Sequence, residues 1–309
     1  MADEADSAEK EGIRAFLNPE EMHKLNRLVL LSRYVVEGNL AGAHRSPLKG
    51  ASSEFADHKA YGLGDDPRHI DWRVFGRTER HFIKRYEDDT NLRVYLAVDR
   101  SNSMGYGSEE KNDTKYRYAC RLAAAIGYVV VKARDSLGMY IYADEVDAVM
   151  PARNSLNHLN NSLKTLQSFE PASTTEIAGA LNQVASSIRH RALVVVISDL
   201  LGDQDAINLA LAHLRKRKHD VIVLQVLDPY ELDLGFKKNC RIEDLESEEK
   251  LVIDPRRLRA SYSEVFGEFL NGYRQACAGM KIDYRIARTD EPLDAFVRAY
   301  LEERRRMSK

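Results

Sequence analysis

Two short stretches of this 309-residue chain end an apolar run with an acid, and small or polar residues follow it. The first reads Val98-Asp99-Arg100-Ser101-Asn102-Ser103-Met104 and the second Val196-Ile197-Ser198-Asp199-Leu200. Between them, Ser173-Thr174-Thr175-Glu176 stands where a helix should begin, a place at which a hydroxyl residue also caps naturally. Asp99, Ser101, Ser103, Thr175 and Asp199 therefore offer side-chain oxygens from three loops. Hard cations such as magnesium take oxygen ligands in near-octahedral geometry and keep part of their water. Serines two apart on a turning loop can face one ion, while the acids anchor its waters. Because the inner ligands are mostly uncharged, the ion's charge stays poorly compensated, and its open position favours an anionic oxygen from outside. Such an arrangement grips a carboxylate and does not cleave. Taken alone, Asp99-Arg-Ser-Asn-Ser also reads as a capped turn, since Ser and Asp are ordinary turn residues.

The elements that must position these residues follow from periodicity. After Asn91, strands and helices alternate to the end of the chain. Leu92 to Val98 is a short apolar run of the kind found in buried parallel strands. A helix is expected over Lys115 to Ala133, with Ala119, Leu122, Ile126, Val129, Val130 and Ala133 on one face. Ser136 to Tyr142 and Val146 to Met150 read as a strand pair. A helix over Thr175 to Arg189 precedes Ala192 to Ile197, the clearest strand of the chain. Then come helix Asp203 to Lys216, strand Val221 to Leu227, a less regular stretch to about Asp254, helix Arg257 to Ala278, strand Lys281 to Ala287 and a helix from Leu293. This alternation implies an α/β fold, a doubly wound, Rossmann-like and mostly parallel sheet with helices on both faces. In such sheets ligands bind beyond the carboxyl ends of the strands, where Asp99 and Asp199 lie.

Ahead of that region, Pro19 to Glu37 reads as an amphipathic helix with Leu25, Leu28, Val29 and Val35 at helical spacing, after a short tail. From Leu40 the texture changes to short segments punctuated by Gly, Asp and Pro, with strands expected over Glu54 to Tyr61 and His81 to Tyr86. The expected organisation is a tail and helix over 1–39, a small β-rich elaboration over 40–90 and the α/β domain over 91–309.

Bulk composition excludes several classes. A 44% hydrophobic and 30% charged chain is an ordinary globular protein. The net charge of -2 offers no electrostatic reason to expect nucleic acid or an anionic membrane as partner. Cys120, Cys240 and Cys277 are far apart with no CxxC pairing and read as reduced thiols. No run approaches the length of a membrane span, and the acidic, polar N-terminus is unlike a signal peptide, so a cytoplasmic location is expected.

Asp99-x-Ser101-x-Ser103 with a later Thr175 and Asp199 resembles the metal-ion-dependent adhesion site of von Willebrand factor A domains. The resemblance implies a single Mg2+, or Mn2+ or Ca2+, with the serines and threonine as direct ligands and the aspartates acting largely through water. A second resemblance covers more of the chain. His44, Glu54, Tyr61, Asp65, Asp66, Arg68, Asp71, Trp72 and Arg77 are similar to the signature of the family called domain of unknown function 58, in which this segment precedes an A-type domain. Kinship implies a protein partner that offers an Asp or Glu and an adaptor or co-chaperone role beside a MoxR-type AAA+ ATPase. Many relatives begin with two membrane helices, and this chain shows neither.

Other motifs have plainer readings. Gly62-Leu-Gly64-Asp65-Asp66-Pro67-Arg68 lacks the GxxxxGK[ST] pattern of a phosphate loop and reads as a tight turn, with Asp65, Asp66, Arg68 and Asp71 in an ion network around Trp72. The histidines form no HExxH pair. The runs Arg215 to Lys218 and Arg304 to Arg306 read as solvated helix ends. Two rivals to the binding module stay open: a magnesium-dependent phosphohydrolase with Asp99 as nucleophile, and a scaffold with no working metal site. Against the hydrolase, the position two residues after Asp99, where a general acid is wanted, is Ser101.

Overall fold

The computed structural model describes residues 12–28, 55–62, 70–86, 92–108, 113–172, 176–236, 240–243, 250–253 and 255–307. The chain divides into two compact units, one of residues 1–39 with 92–309 and the other of residues 40–91.

The larger unit is built on six strands: β3 (Arg93–Asp99), β4 (Ser136–Tyr142), β5 (Val146–Arg153), β6 (Leu193–Ser198), β7 (Asp220–Leu227) and β10 (Asp283–Arg288). Their spatial order is β10-β7-β6-β3-β4-β5, parallel throughout except for the edge pair of β4 and β5. This is the α/β, doubly wound, mostly parallel sheet expected from the sequence. Alternate residues of each central strand face opposite sides, as the two-residue period of a strand requires. Leu96, Val98, Val195, Ile197, Ile222 and Leu224 enter one core with the helices α3 (Lys115–Lys132), α4 (Leu156–Gln167) and α9 (Leu293–Met307). Ala97, Val194, Val196, Val221 and Val223 enter the other with α5 (Ile177–Ser187), α6 (Gln204–Lys216) and α8 (Pro255–Gly279).

The N-terminal helix does not stand apart from this unit. Within α1, residues 19–28, Leu25 and Leu28 are buried, as are Ile13 and Leu17 before it, and all four belong to the first core. Polar contacts lock the segment in place: Arg121 donates to Glu21 at 2.6 Å, and the Tyr128 hydroxyl donates to Asn26 at 2.9 Å. The tail ahead of it, residues 1–11, and the C-terminal part of the expected helix, including Val29 and Val35, lie outside the described residues.

Several elements were not anticipated. α4 lies between β5 and α5, with Ser155 at its N-cap and Leu159, Leu163 and Leu166 buried. The irregular stretch after β7 holds α7 (Pro229–Asp233) and an antiparallel hairpin of β8 (Cys240–Glu243) and β9 (Lys250–Ile253). The basic run at the end of α6 is also more engaged than a solvated end. Arg215 donates to the His219 carbonyl at 2.6 Å and to Asp220 at 3.0 Å, while Arg217 reaches the Ser186 carbonyl at 3.3 Å.

In the smaller unit β1 (Phe55–Ala60) pairs antiparallel with β2 (Phe82–Tyr86). Between them lies a short helix, α2 (Trp72–Thr78), which the expectation of strands and turns had left out. Asp71 is its N-cap and accepts the Arg73 and Val74 amides at 3.0 and 3.4 Å. Trp72 is 63% exposed and packs edge-on against Phe75. Asp65, Asp66 and Arg68 of the ion network expected with Asp71 around Trp72 lie outside the described residues. Among the described residues no helix is long and apolar enough to cross a membrane.

Candidate functional site

β3 and β6 lie side by side where the sheet reverses its order: the chain leaving β3 continues to β4 on one side, and that leaving β6 to β7 on the other. Loops that depart in opposite directions open a crevice at the carboxyl ends of the two strands. Asp99 is the last residue of β3 and Asp199 directly follows β6; both are fully buried.

The Asp99 carboxylate is held on both oxygens. The Ser101 amide donates to Oδ1 at 2.7 Å, and the Ser198 hydroxyl donates to Oδ2 at 2.5 Å. A single 3-10 turn, Asn102–Gly105, follows and is anchored by buried Met104. This turn brings the Ser101 and Ser103 hydroxyl oxygens to 3.2 Å from one another. Burial, and after it the negative charge of Asp199, pushes the Asp99 carboxyl up to about 7, against the lowering hydrogen bonds from Ser198 and Ser101. Beside it in β4, the Tyr142 hydroxyl is buried, with no hydrogen-bond partner of good geometry among the described residues. Burial and the nearby Asp99 charge hold that phenol well above its ordinary pKa.

Asp199 is held differently. The buried ammonium of Lys115, at the start of α3, donates to its Oδ2 at 2.8 Å and to Glu231 of α7 at 2.6 Å. Burial works against this ammonium, but Asp199 and Glu231 outweigh it and hold the lysine above its ordinary value. Burial raises the Glu231 carboxyl in spite of Lys115. The Asp199 Oδ1 accepts the Leu201 amide at 3.1 Å, and its carbonyl accepts the Gln225 side chain at 2.7 Å. Leu200 is forced into the left-handed region at φ 55, a strained state for a side chain of its kind. Its amide donates to the Ser198 hydroxyl at 2.9 Å, and its carbonyl accepts the Tyr273 hydroxyl at 2.9 Å.

The third expected loop is anchored on its near side. The Ala172 amide donates to the Arg100 carbonyl at 2.9 Å. The Arg100 guanidinium makes two 2.7 Å bonds to Asp147 and one of 3.2 Å to the Glu170 carbonyl. Thr175 itself, with Ser173 and Thr174, lies outside the described residues, and Glu176 stands at the N-cap of α5 without a side-chain capping bond. Of the five expected ligands, four are thus placed: Asp99, Ser101, Ser103 and Asp199 surround one crevice. Of the signature residues, Tyr61, Asp71, Trp72 and Arg77 lie in or beside the β1–β2 unit, while His44, Glu54, Asp65, Asp66 and Arg68 are outside the described residues.

The donor set suits a hard cation: two buried acids, of which Asp199 adds to the raising of the Asp99 carboxyl, converging hydroxyls and the buried Tyr142 phenol, all oxygen. Among the described residues no group of three or more His, Cys, Asp or Glu stands ready to hold a metal, so a cation in this crevice needs the serine hydroxyls. Ser198, Lys115, Glu231 and Tyr142 were not singled out from the sequence, although a lysine opening a helix, against its dipole, is a signal that an anion is near.

The family profile described as "Protein of unknown function DUF58" matches residues 57–268, well over half of the chain. The chain belongs to this family. The match takes in the whole Asp99, Ser101, Ser103 and Asp199 crevice of this DUF58 protein as well as the β1–β2 hairpin from Asp57 onward. The protein is 27% identical over 296 residues to Uncharacterized protein Mb1516 of Mycobacterium bovis, covering 94% of this chain and 91% of that relative. The same figures hold for Uncharacterized protein Rv1480 of Mycobacterium tuberculosis. Among solved structures it is similar to BatB from Bacteroides thetaiotaomicron, at 17% identity and a TM-score of 0.46 over 70% of this chain and 99% of that one. It is also similar to the SpRpn10 VWA domain, at 8% identity and a TM-score of 0.37 over 68% of this chain and 95% of that domain.

Proposed function

We propose that this DUF58 protein is a metal-dependent protein–protein interaction module that grips an acidic side chain of a partner. Asp99, Ser101, Ser103 and Asp199, together with Thr175, would hold one divalent cation, Mg2+ or the related Mn2+ or Ca2+. The observation that carries this reading is the 3.2 Å approach of the Ser101 and Ser103 hydroxyls at the β3–β6 switch point, beside two buried acids. When bound, the cation supplies a Lewis-acidic position for an outside carboxylate. Ser101 and Ser103 contribute neutral oxygens, so that position keeps its preference for an anion. Asp99 and Asp199 contribute charge from behind. A hydrolase that uses Asp99 as nucleophile is disfavoured, because Asp99 is buried and both of its oxygens already accept hydrogen bonds. The partner proposed from kinship is a MoxR-type AAA+ ATPase, which this chain would serve as adaptor or co-chaperone.

The test is calorimetric titration of MgCl2 and MnCl2 into chelator-treated full chain. Wild type is expected to bind one ion, with Ser101→Ala and Asp99→Ala weaker by about 10–100-fold, the range seen when groups that support a metal are removed. Equal binding by both variants and wild type overturns the assignment. Retention of an AAA+ ATPase from lysate on the immobilised chain, lost on adding chelator, supports the partner. Turnover of p-nitrophenyl phosphate that disappears in Asp99→Asn would instead establish the hydrolase.

A further inference from the structure

We propose that Lys115 is a built-in counter-cation of the Asp99–Asp199 crevice, placed so that it weakens the binding of a divalent ion there. The inference rests on the metal-binding reading and adds a control of affinity to it. Lys115 is the first residue of α3, where the helix dipole disfavours a cation, yet its side chain is fully buried. Removing an ammonium from water is costly unless anions compensate, and two do so, Asp199 at 2.8 Å and Glu231 at 2.6 Å.

The geometry leaves the ammonium little freedom. The other oxygen of Glu231 accepts the Asp228 amide at 2.9 Å in the capping box of α7. The Glu231 carbonyl accepts the Tyr262 hydroxyl at 2.7 Å, which ties α7 to α8. Glu231 is thus a fixed anchor, and the Lys115 ammonium bridges it to Asp199. Among the described residues Asp199 pairs with no other cation, and Asp99 pairs with none. Three carboxyls are therefore served by one ammonium.

Two roles for Lys115 make opposite predictions. A tether that merely orients Asp199 would, when removed, loosen the crevice and weaken metal binding. A counter-cation competes for Asp199 and repels the ion, so its removal strengthens binding. At an effective dielectric of about 20, a unit charge within several ångströms of a divalent ion changes its affinity by at least about tenfold.

The experiment titrates MnCl2 calorimetrically into chelator-treated full chain as wild type, Lys115→Met and the double variant Lys115→Met/Glu231→Gln, with melting curves recorded with and without MgCl2. The double variant avoids stranding the buried Glu231 carboxylate and serves if the single variant does not fold. At least about tenfold tighter Mn2+ binding by the variants than by wild type is expected. A larger rise in melting midpoint with MgCl2 should accompany it, and adding Ser101→Ala should abolish the gain. A Lys115→Met protein that folds only when MgCl2 is present also supports the proposal. Equal or weaker binding by the folded variants, over a wild type that binds, overturns this inference and leaves the metal site standing. Absence of Ser101-dependent binding in every protein sinks both.

Discussion

Replacing Asp99 by Asn should make the chelated protein more stable at pH 8 while removing its hold on metal. Asp99 is fully buried, and its carboxyl is pushed from an ordinary 3.8 up to about 7, by burial first and then by Asp199. Below about pH 4 the folded and unfolded chains both keep this proton, and the group contributes nothing to the pH dependence. Between there and about 7 the folded chain holds a proton that the unfolded chain has released, so stability falls as pH rises. Above about 7 the full penalty stands, and a midpoint moved that far corresponds to about 4 kcal/mol.

Asparagine has the same shape and no charge, but it offers one acceptor where the carboxylate offers two. Either the Ser101 amide or the Ser198 hydroxyl then faces the amide nitrogen, a loss of about 1–1.5 kcal/mol. The net gain is about 2–3 kcal/mol at pH 8, shrinking towards zero near pH 5, where the wild-type penalty is already small. Urea denaturation with EDTA at the two pH values measures it. With MgCl2 at about a hundred times its dissociation constant the order narrows or reverses, because the ion adds about 2.7 kcal/mol to wild type alone. An Asp99→Asn protein no more stable than wild type at pH 8 in EDTA, or a gain that persists undiminished at pH 5, would refute the account of Asp99 as an unpaired buried acid.

Two further outcomes follow from the packing. Leu25→Ala should cost about 2–4 kcal/mol in urea denaturation, because Leu25 is fully buried in the core shared with α3 and α9; a cost near zero would detach the N-terminal helix from the domain. Burial pushes the Cys120 and Cys277 thiols up to about 12, so at pH 8 only about one in ten thousand is thiolate. Iodoacetamide should leave both unmodified in the native chain and label them in urea, as read by peptide mass spectrometry, with native reactivity appearing only as pH climbs towards that value.

The parts of this molecule legible from sequence are those in which one physical demand dominates a contiguous segment. β3, β6 and β7 are covered on both faces, so every position in Ala192–Ile197 must be apolar, and the run is unmistakable. Strand ends then place Asp99 and Asp199 near one another without any further information. α2 escaped because none of its residues is buried, and an unburied helix has no apolar stripe to read. α4 is a different omission, since Leu156, Leu159, Leu163 and Leu166 behind a capping Ser155 carry a clear helical period. The pairings that decide the electrostatics of the crevice were hidden for a third reason. Ser198 and Asp99 are 99 residues apart, and Lys115 and Glu231 are 116 apart, in segments whose own patterns are fully satisfied without them. Local period says only that Lys115 opens a helix. That a cation opens it, against the dipole and ahead of a buried face, is a local conflict, and such conflicts concentrate where function rather than folding sets the residue. The crevice charge therefore has to be read from anomalies of this kind, not from the motif alone.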